Sequence, residues 1–209
     1  AQRAARSLPD ASPARAELSR LLTELGRVET TVRELLDFAR QGPLRRRRVE
    51  LLPLIEDVVA RSLSASPRPD LHVAVEMSDA LSGLEVEVDP LRLEQALGNL
   101  LDNALQAAQR RVRISAEPEP EQLRLRVEDD GPGIAQADVE RLFEPFFTTK
   151  PAGQGTGLGL AVARAAVAEH GGTLWLEHPG APGACFLIRL PLFEPAPTDA
   201  ERGGSQREG

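Results

Sequence analysis

LEQALGNLLDNALQAA, residues 93–108, decides the fold of this chain. Leu93, Ala96, Leu97, Leu100, Leu101 and Ala104 recur three and four apart, which places them on one side of a helix. Asn99 and Asn103 stand four apart, so their amides share another face. Just upstream, Asp89-Pro90 supplies an N-cap and a first-turn proline, opening a helix that runs to about Ala108. Working outward, residues 71–77 (LHVAVEM) and 84–88 (LEVEV) read as strands before this helix. After it, 112–117 (VRISAE) and 122–129 (QLRLRVED) alternate as strands joined by a short Pro/Glu turn. Residues 135–143 read as a short helix, and 158–170 as a longer one stopped by Gly171-Gly172. TLWLEH and ACFLIRL close the pattern as a hairpin around PGAPG. The order predicts an α+β fold, a two-layer α/β sandwich with helices on one face of a mostly antiparallel sheet.

An earlier segment has a different period. Leu18, Leu21, Leu25, Val28, Val32, Leu35 and Ala39 step by three and four over residues 16–40, a heptad seam, and Leu22 and Leu36 widen the stripe enough for a bundle core. PDASP at 9–13 is a turn signal, so residues 1–8 read as the end of an earlier helix entering a hairpin. A dimeric bundle is the favoured reading, against a solitary surface helix. Gly42-Pro43 ends the segment, and the Arg45–Arg48 run reads as a solvated face without the interleaved aromatics of a single-strand binder. The expected organisation is therefore a helical hairpin over 1–43, an α/β domain over 44–193 and a disordered polar tail over 194–209.

Composition narrows the function. No apolar run reaches the roughly 18 residues of a membrane span, and the N-terminus lacks a signal-peptide core, so a cytoplasmic segment without membrane contact is expected. One cysteine, Cys185, excludes a disulfide framework, and three scattered histidines speak against a zinc site. The net charge of −7 argues against nucleic acid as a partner. Lys150 is the only lysine among 25 basic residues.

Four stretches carry chemistry. The neutral oxygens of Asn99 and Asn103 suit a hard cation that keeps waters and phosphate ligands, as Mg²⁺ does, or are simply two exposed amides. In VEDDGPGI, residues 127–134, a carboxylate at a strand end precedes Gly131 and Gly133. Asp129 can accept from an exocyclic amine, and the glycines admit a flat ligand to the backbone; the alternative is a plain Asp-Gly turn. LFEPFFTTK, residues 142–150, holds three of the six phenylalanines and ends on Lys150, which is either functional or merely solvent-facing. GQGTGLGLAVA, residues 153–163, runs a glycine-rich stretch into a helix start, where free N–H groups bind phosphate.

In this order, the four stretches resemble the boxes of the ATP-binding catalytic domain of bacterial sensor histidine kinases, a family grouped with gyrase, mismatch-repair ATPases and heat-shock chaperones. The resemblance covers residues 45–192, favours the nitrogen-regulator-like branch and implies a Bergerat-type ATP-binding fold. RVETTVRELLDFAR followed by GPL is similar to the second helix of the family's dimerisation and phosphotransfer hairpin. The resemblance implies that Asn103 coordinates Mg²⁺, with Asn99 near the phosphates. Asp129 would receive the adenine amine, Gly131 and Gly133 would shape that pocket, and Ile134 would touch the base. Phe143, Phe146 and Phe147 would anchor a mobile lid. Thr148 and Lys150 would lie near the phosphates, and Gly155, Thr156, Gly157, Leu158, Gly159 and Leu160 would wrap the triphosphate. His170 would be structural. Gln106 and Ala107 stand where many kinases carry a lysine and an aromatic, and Gln106 is kept among the ATP-binding residues.

The implied function is transfer of the ATP γ-phosphoryl group to a histidine, for relay to a response-regulator aspartate. Homodimerisation through the hairpin and a receiver-domain partner follow from the same likeness. No histidine of this chain is followed by the acidic residue expected of an acceptor, so the acceptor is expected upstream of Ala1. Two further readings stay open: a kinase acting on another protein, and a nucleotide-binding dimerisation module without phosphotransfer. An ATP hydrolase of the gyrase kind would carry a glutamate at position 99, where this chain has asparagine.

Overall fold

Strand alternation builds the sheet on which everything else is mounted. The computed structural model describes residues 42–151 and 155–192, together with 17–18, 21–22 and 25–26, which have helical backbone. The rest of the heptad seam and the tail over 194–209 lie outside the described residues. Of the seam, Leu21 and Leu25 are exposed at 53% and 62%. Among the described residues no helix is long and apolar enough to cross a membrane.

The elements run β1 (Arg47–Glu50), α1 (Leu51–Ala65), β2 (His72–Met77), β3 (Glu85–Val88), α2 (Pro90–Ala107), β4 (Arg111–Glu119), β5 (Gln122–Asp129), α3 (Gly159–Glu169), β6 (Thr173–Glu177) and β7 (Cys185–Pro191). The main sheet has five strands in the order β2-β4-β5-β7-β6. Only the β2–β4 pair is parallel. The mostly antiparallel sheet with helices on one face is as the sequence predicts. The segment 135–143 is instead a 3₁₀ turn, Gln136–Arg141, with no fully buried residue. Its apolar contacts with the core, Val139, Leu142 and Phe143, cluster at its C-terminal end, too few for a longer α-helix.

Two elements escaped the sequence reading. β1 pairs antiparallel with β3 as a separate ribbon, and α1 follows it directly. Leu51, Leu54, Ile55 and Val58 of α1 are buried at helical spacing, a signal masked by Pro53, which sits harmlessly in the first turn.

Burial follows the pleat. Val112, Ile114 and Ala116 of β4 and Leu123, Leu125 and Val127 of β5 face the helices. The opposite face carries charge: Arg113 stands directly across from Glu128 and Glu117 across from Arg124, both as ion pairs. α2 lies between α1 and α3, with Leu93, Ala96, Leu97, Leu100, Leu101, Ala104 and Leu105 all buried. The face α3 gives to the core is largely alanine (Ala161, Ala163, Ala166), so its backbone can come close to α2.

Asp89 caps α2 as expected, accepting from the Arg92 N–H at 3.4 Å and the Arg45 N–H at 2.8 Å. Burial opposes its ionisation, but these backbone donors prevail and hold its pKa below the ordinary carboxylate range. The buried His170 ties the ends of two helices together. Its Nε2 accepts from the Asp89 N–H at 2.9 Å, and its Nδ1 donates to the Ala166 carbonyl at 2.7 Å. Those partners fix one neutral tautomer and make His170 structural.

Candidate functional site

The C-terminal half of α2, the turn after β5 and the N-terminus of α3 meet along one side of the helical layer. Asn99, Asn103 and Gln106 project from α2 beside its buried stripe. Asn99 faces the start of α3: a Cβ on Gly159 would lie 3.6 Å from the Asn99 Cγ. The N-cap residue of α3, Leu158, makes no side-chain cap bond, and the first N–H groups of a helix are those that can bind an anion. The Thr156 Oγ accepts from the Leu158 N–H at 3.3 Å and shapes the approach to that end.

Lys150 reaches this cluster from the other side. Its Nζ donates to the Asn103 Oδ1 at 2.9 Å and to the Gln106 Oε1 at 2.6 Å. It is therefore not solvent-facing, the blander of its two sequence readings. Burial lowers its pKa, with Asp102 pulling the other way. The Asn103 oxygen is thus already aimed at a positive charge, which fits the hard oxygen donor that Mg²⁺ requires. Among the described residues no three His, Cys, Asp or Glu side chains converge. An ion at Asn103 would therefore draw its other ligands from water and phosphate.

Asp129 marks the opposite end. Its hydrogen bonds from described residues fall on Oδ1, which accepts from the Gly131 N–H at 2.9 Å and the Ala184 N–H at 3.4 Å. Oδ2 is left for a ligand. Burial raises the Asp129 pKa above the ordinary carboxylate range, outweighing those two donors, and Asp130 adds repulsion.

Both glycines are also required by the chain's own packing. A Cβ on Gly131 would stand 2.6 Å from the Ala107 carbonyl oxygen at the end of α2. Gly133 has φ +79°, and a Cβ there would collide with the Ala181 carbonyl of the β6–β7 turn. The Ile134 carbonyl accepts from Gly180 in that same turn at 2.9 Å, and its side chain packs on the core.

The three phenylalanines divide. Phe143 is a core residue, edge-on to Phe186 at 6.4 Å with the Arg164 guanidinium over its ring. Phe147 lies under Arg141 at 4.5 Å. Phe146 is 61% exposed and has φ 68°, unusual for a residue with a Cβ. Its N–H donates to the Gly157 carbonyl at 2.9 Å, and a Cβ on Gly157 would strike the Phe146–Phe147 backbone. Leu158 is fully buried and can offer a ligand only backbone, whereas Leu160 is half-buried and packs partly on the core. The Thr148 Oγ accepts from the Lys150 N–H at 3.2 Å, and Gly155 lies against both side chains.

Sequence reasoning missed Asp130. Its carboxylate accepts from the N–H groups of Gln109, Arg110 and Arg111, at 2.9, 3.0 and 3.0 Å. Those bonds lower its pKa and pin the α2–β4 connection beside Asp129. The repeated Asp in VEDDGPGI was the available signal. A separate depression of about 250 Å³ on the outer sheet face, lined by Arg113, Arg126, Glu177 and Cys185 among others, is a lattice of ion pairs remote from α2.

Over residues 88–194 the chain matches the family described as histidine kinase-, DNA gyrase B-, and HSP90-like ATPase. It is 46% identical over 102 residues to the sensor histidine kinase GtrS of Pseudomonas aeruginosa, covering 49% of this chain and 21% of that protein. It is 33% identical over 171 residues to the sensor histidine kinase ZraS of Escherichia coli K12, covering 81% of this chain and 36% of the relative. The chain thus spans little more than a third of these curated relatives at most. Among solved structures, the catalytic domain of histidine kinase ThkA superposes with TM-score 0.63 at 32% identity, covering 71% of this chain and 96% of that one. Full-length ShkA in complex with AMPPNP gives TM-score 0.75 at 26% identity over 90% of this chain and 41% of that one. ThkA in complex with the response regulator TrrA gives 0.73 at 29%, over 89% and 53%.

Proposed function

The chain belongs to the histidine kinase-, DNA gyrase B- and HSP90-like ATPase family, and on that footing we propose that it is the ATP-binding catalytic region of a sensor histidine kinase. It would transfer the γ-phosphoryl group of ATP to a histidine, for relay to a response-regulator aspartate. The observation that carries phosphotransfer over hydrolysis is Asn99. An amide lies against the α3 N-terminus, at the position of the water-activating glutamate in the hydrolase branch. An amide cannot accept the proton that an attacking water must lose. Phosphoryl transfer to a side chain needs positioning and charge stabilisation, which this site supplies.

Each residue has a part in that reading. The free oxygen of Asp129 receives the adenine amine. The α3 N-terminus and the 155–159 backbone donate to phosphate oxygens, and Lys150 adds positive charge. Asn103 would hold Mg²⁺, which supplies charge neutralisation at the phosphates when bound. The three histidines are not suited to accept the group from this site. His170 is buried with both nitrogens engaged, His72 stands on β2 at the sheet edge, and His178 opens onto the outer sheet face.

We also propose homodimerisation through the 16–40 seam, a receiver domain as phosphoryl acceptor and a cytoplasmic setting. The support is the heptad period together with the relatives named as sensor kinases and the ThkA–TrrA complex. The test is γ-labelled ATP supplied with a phosphotransfer hairpin bearing an acceptor histidine. Acid-labile label on the hairpin is the expected result. ATP turnover to free phosphate without labelled hairpin would refute the kinase reading, and bound nucleotide with neither outcome would favour a binding module.

A further inference from the structure

Position 106 holds glutamine where the family resemblance implies a lysine, yet the structure brings a lysine to this face of α2 from a different element. The Lys150 ammonium bridges two amide oxygens, Asn103 Oδ1 at 2.9 Å and Gln106 Oε1 at 2.6 Å. Residues 103 and 106 are three apart on α2, so their side chains share a face. The lysine is confined elsewhere as well. Its N–H is tied to the Thr148 Oγ at 3.2 Å, and a Cβ on Gly155 would sit 3.2 Å from its Cδ.

We propose that Gln106 is a positioning residue, acting through Lys150: it holds the only lysine of the chain over the phosphate end of α2, in place of a lysine on the helix itself. This rests on the nucleotide reading above and extends it. Two properties suit Gln106 to the task. A free lysine side chain loses rotamer entropy when a ligand orders it, and Gln106 meets that cost before ATP arrives. The acceptor is also neutral, so it orients the ammonium without cancelling the charge that phosphate needs. A carboxylate at 106 would hold Lys150 more firmly but neutralise it and repel phosphate. Asn103 alone cannot serve, because a cation bound to its oxygen would take that contact from Lys150 and leave Gln106 as the remaining anchor.

The experiment is calorimetry of the full chain with ATP and with AMP, each with Mg²⁺, on the parent, Gln106→Ala, Gln106→Glu, Lys150→Met, Gln106→Ala/Lys150→Met and Gln106→Lys/Lys150→Met. The expected result for Gln106→Ala is a roughly five- to tenfold loss for ATP, the scale of ordering one long side chain on binding, with AMP affinity unchanged. Gln106→Glu should lose more than Gln106→Ala. The Ala/Met double variant should bind ATP no worse than Lys150→Met alone, and Gln106→Lys should restore ATP affinity to Lys150→Met. Equal losses for ATP and AMP in Gln106→Ala, or additive losses in the double variant, would overturn the proposal, since Gln106 would then act structurally or on nucleotide directly. A Lys150→Met variant with full ATP affinity would overturn it while leaving the nucleotide site standing. A parent chain that binds neither nucleotide overturns both.

Discussion

Replacing Asp129 by asparagine tests the adenine end with opposite signs for binding and stability. The aspartate Oδ1 accepts from the N–H groups of Gly131 and Ala184, at 2.9 and 3.4 Å. An asparagine must keep its carbonyl oxygen there, because turning the amide would aim its NH₂ at two backbone donors. The NH₂ is then forced to the place of Oδ2, where the proposed partner is an amine, itself a donor. A charged acceptor worth about 1.5–3 kcal/mol is lost, so ATP affinity should fall about 10- to 150-fold. Stability should move the other way. Burial raises the Asp129 pKa, so ionisation costs folding free energy, and the parent loses stability as pH rises through that value. The amide of the Asp129→Asn variant carries no such charge, so the variant's advantage should be absent in acid and grow toward neutral pH. Calorimetry with ATP and urea unfolding across a pH series provide the readout. ATP binding by the parent should also weaken as pH falls through the raised Asp129 pKa, and the variant should not share that dependence. Unchanged ATP affinity at neutral pH, or a variant uniformly less stable at every pH, would refute the reasoning.

Asp130→Ala should lower the melting temperature at neutral pH, since three N–H groups lose their acceptor. The Asp130 pKa is lowered, so its contribution is present above the ordinary carboxylate range and lost as pH falls through the depressed value; the variant and parent should converge in acid. His170→Ala should cost roughly 2–4 kcal/mol in urea unfolding, from a buried cavity and the orphaned Asp89 N–H. Burial and the neighbouring Glu177 push the Cys185 thiol up to about 12, so a thiol reagent at mildly alkaline pH should label it far more slowly in the native chain than in denaturant. Leu25→Glu with Val32→Glu should give a monomer by sedimentation that still binds ATP, because the nucleotide residues all lie beyond residue 98; a parent that is monomeric at every concentration would defeat the seam.

The sheet and its helices were legible because their periods differ. LRLRV at 123–127 alternates strictly, and the β4–β5 register matches that alternation residue for residue. The stripe of α2 was legible for the same reason, as was its Asp89 cap. α1 was not read, although Leu51, Leu54, Ile55 and Val58 have the right spacing, because Pro53 draws attention as a breaker when it is only a first-turn residue. The site was legible as a set of residues but not as a set of contacts. Gly131 and Gly133 are conspicuous in sequence, yet what they accommodate, the Ala107 and Ala181 carbonyls, lies 24 and 48 positions away. Lys150 stood out by its rarity, but no local pattern links it to Gln106 across 44 residues.

Those long-range contacts explain how one helix sets both ends of the site. α2 touches the turn after β5 at its C-terminus, where Gly131 abuts the Ala107 carbonyl, and faces α3 at Asn99. Eight residues separate the two contacts, roughly 12 Å along the axis at 1.5 Å per residue. Asn103 and Gln106 fall between them, on the side left open by the buried leucines. The distance from Asp129 to the phosphate end is therefore fixed by a rigid, core-packed element. The segment that carries Lys150 is tied to α2 by one ammonium, and to the stretch before α3 by the backbone bond of Phe146 to Gly157. On the proposed nucleotide reading, such a division puts precision in the helix and adjustability in the segment that would admit and release nucleotide, because opening it breaks a few polar contacts. The same logic fits the positive φ of Phe146, which lies at the junction rather than on α2.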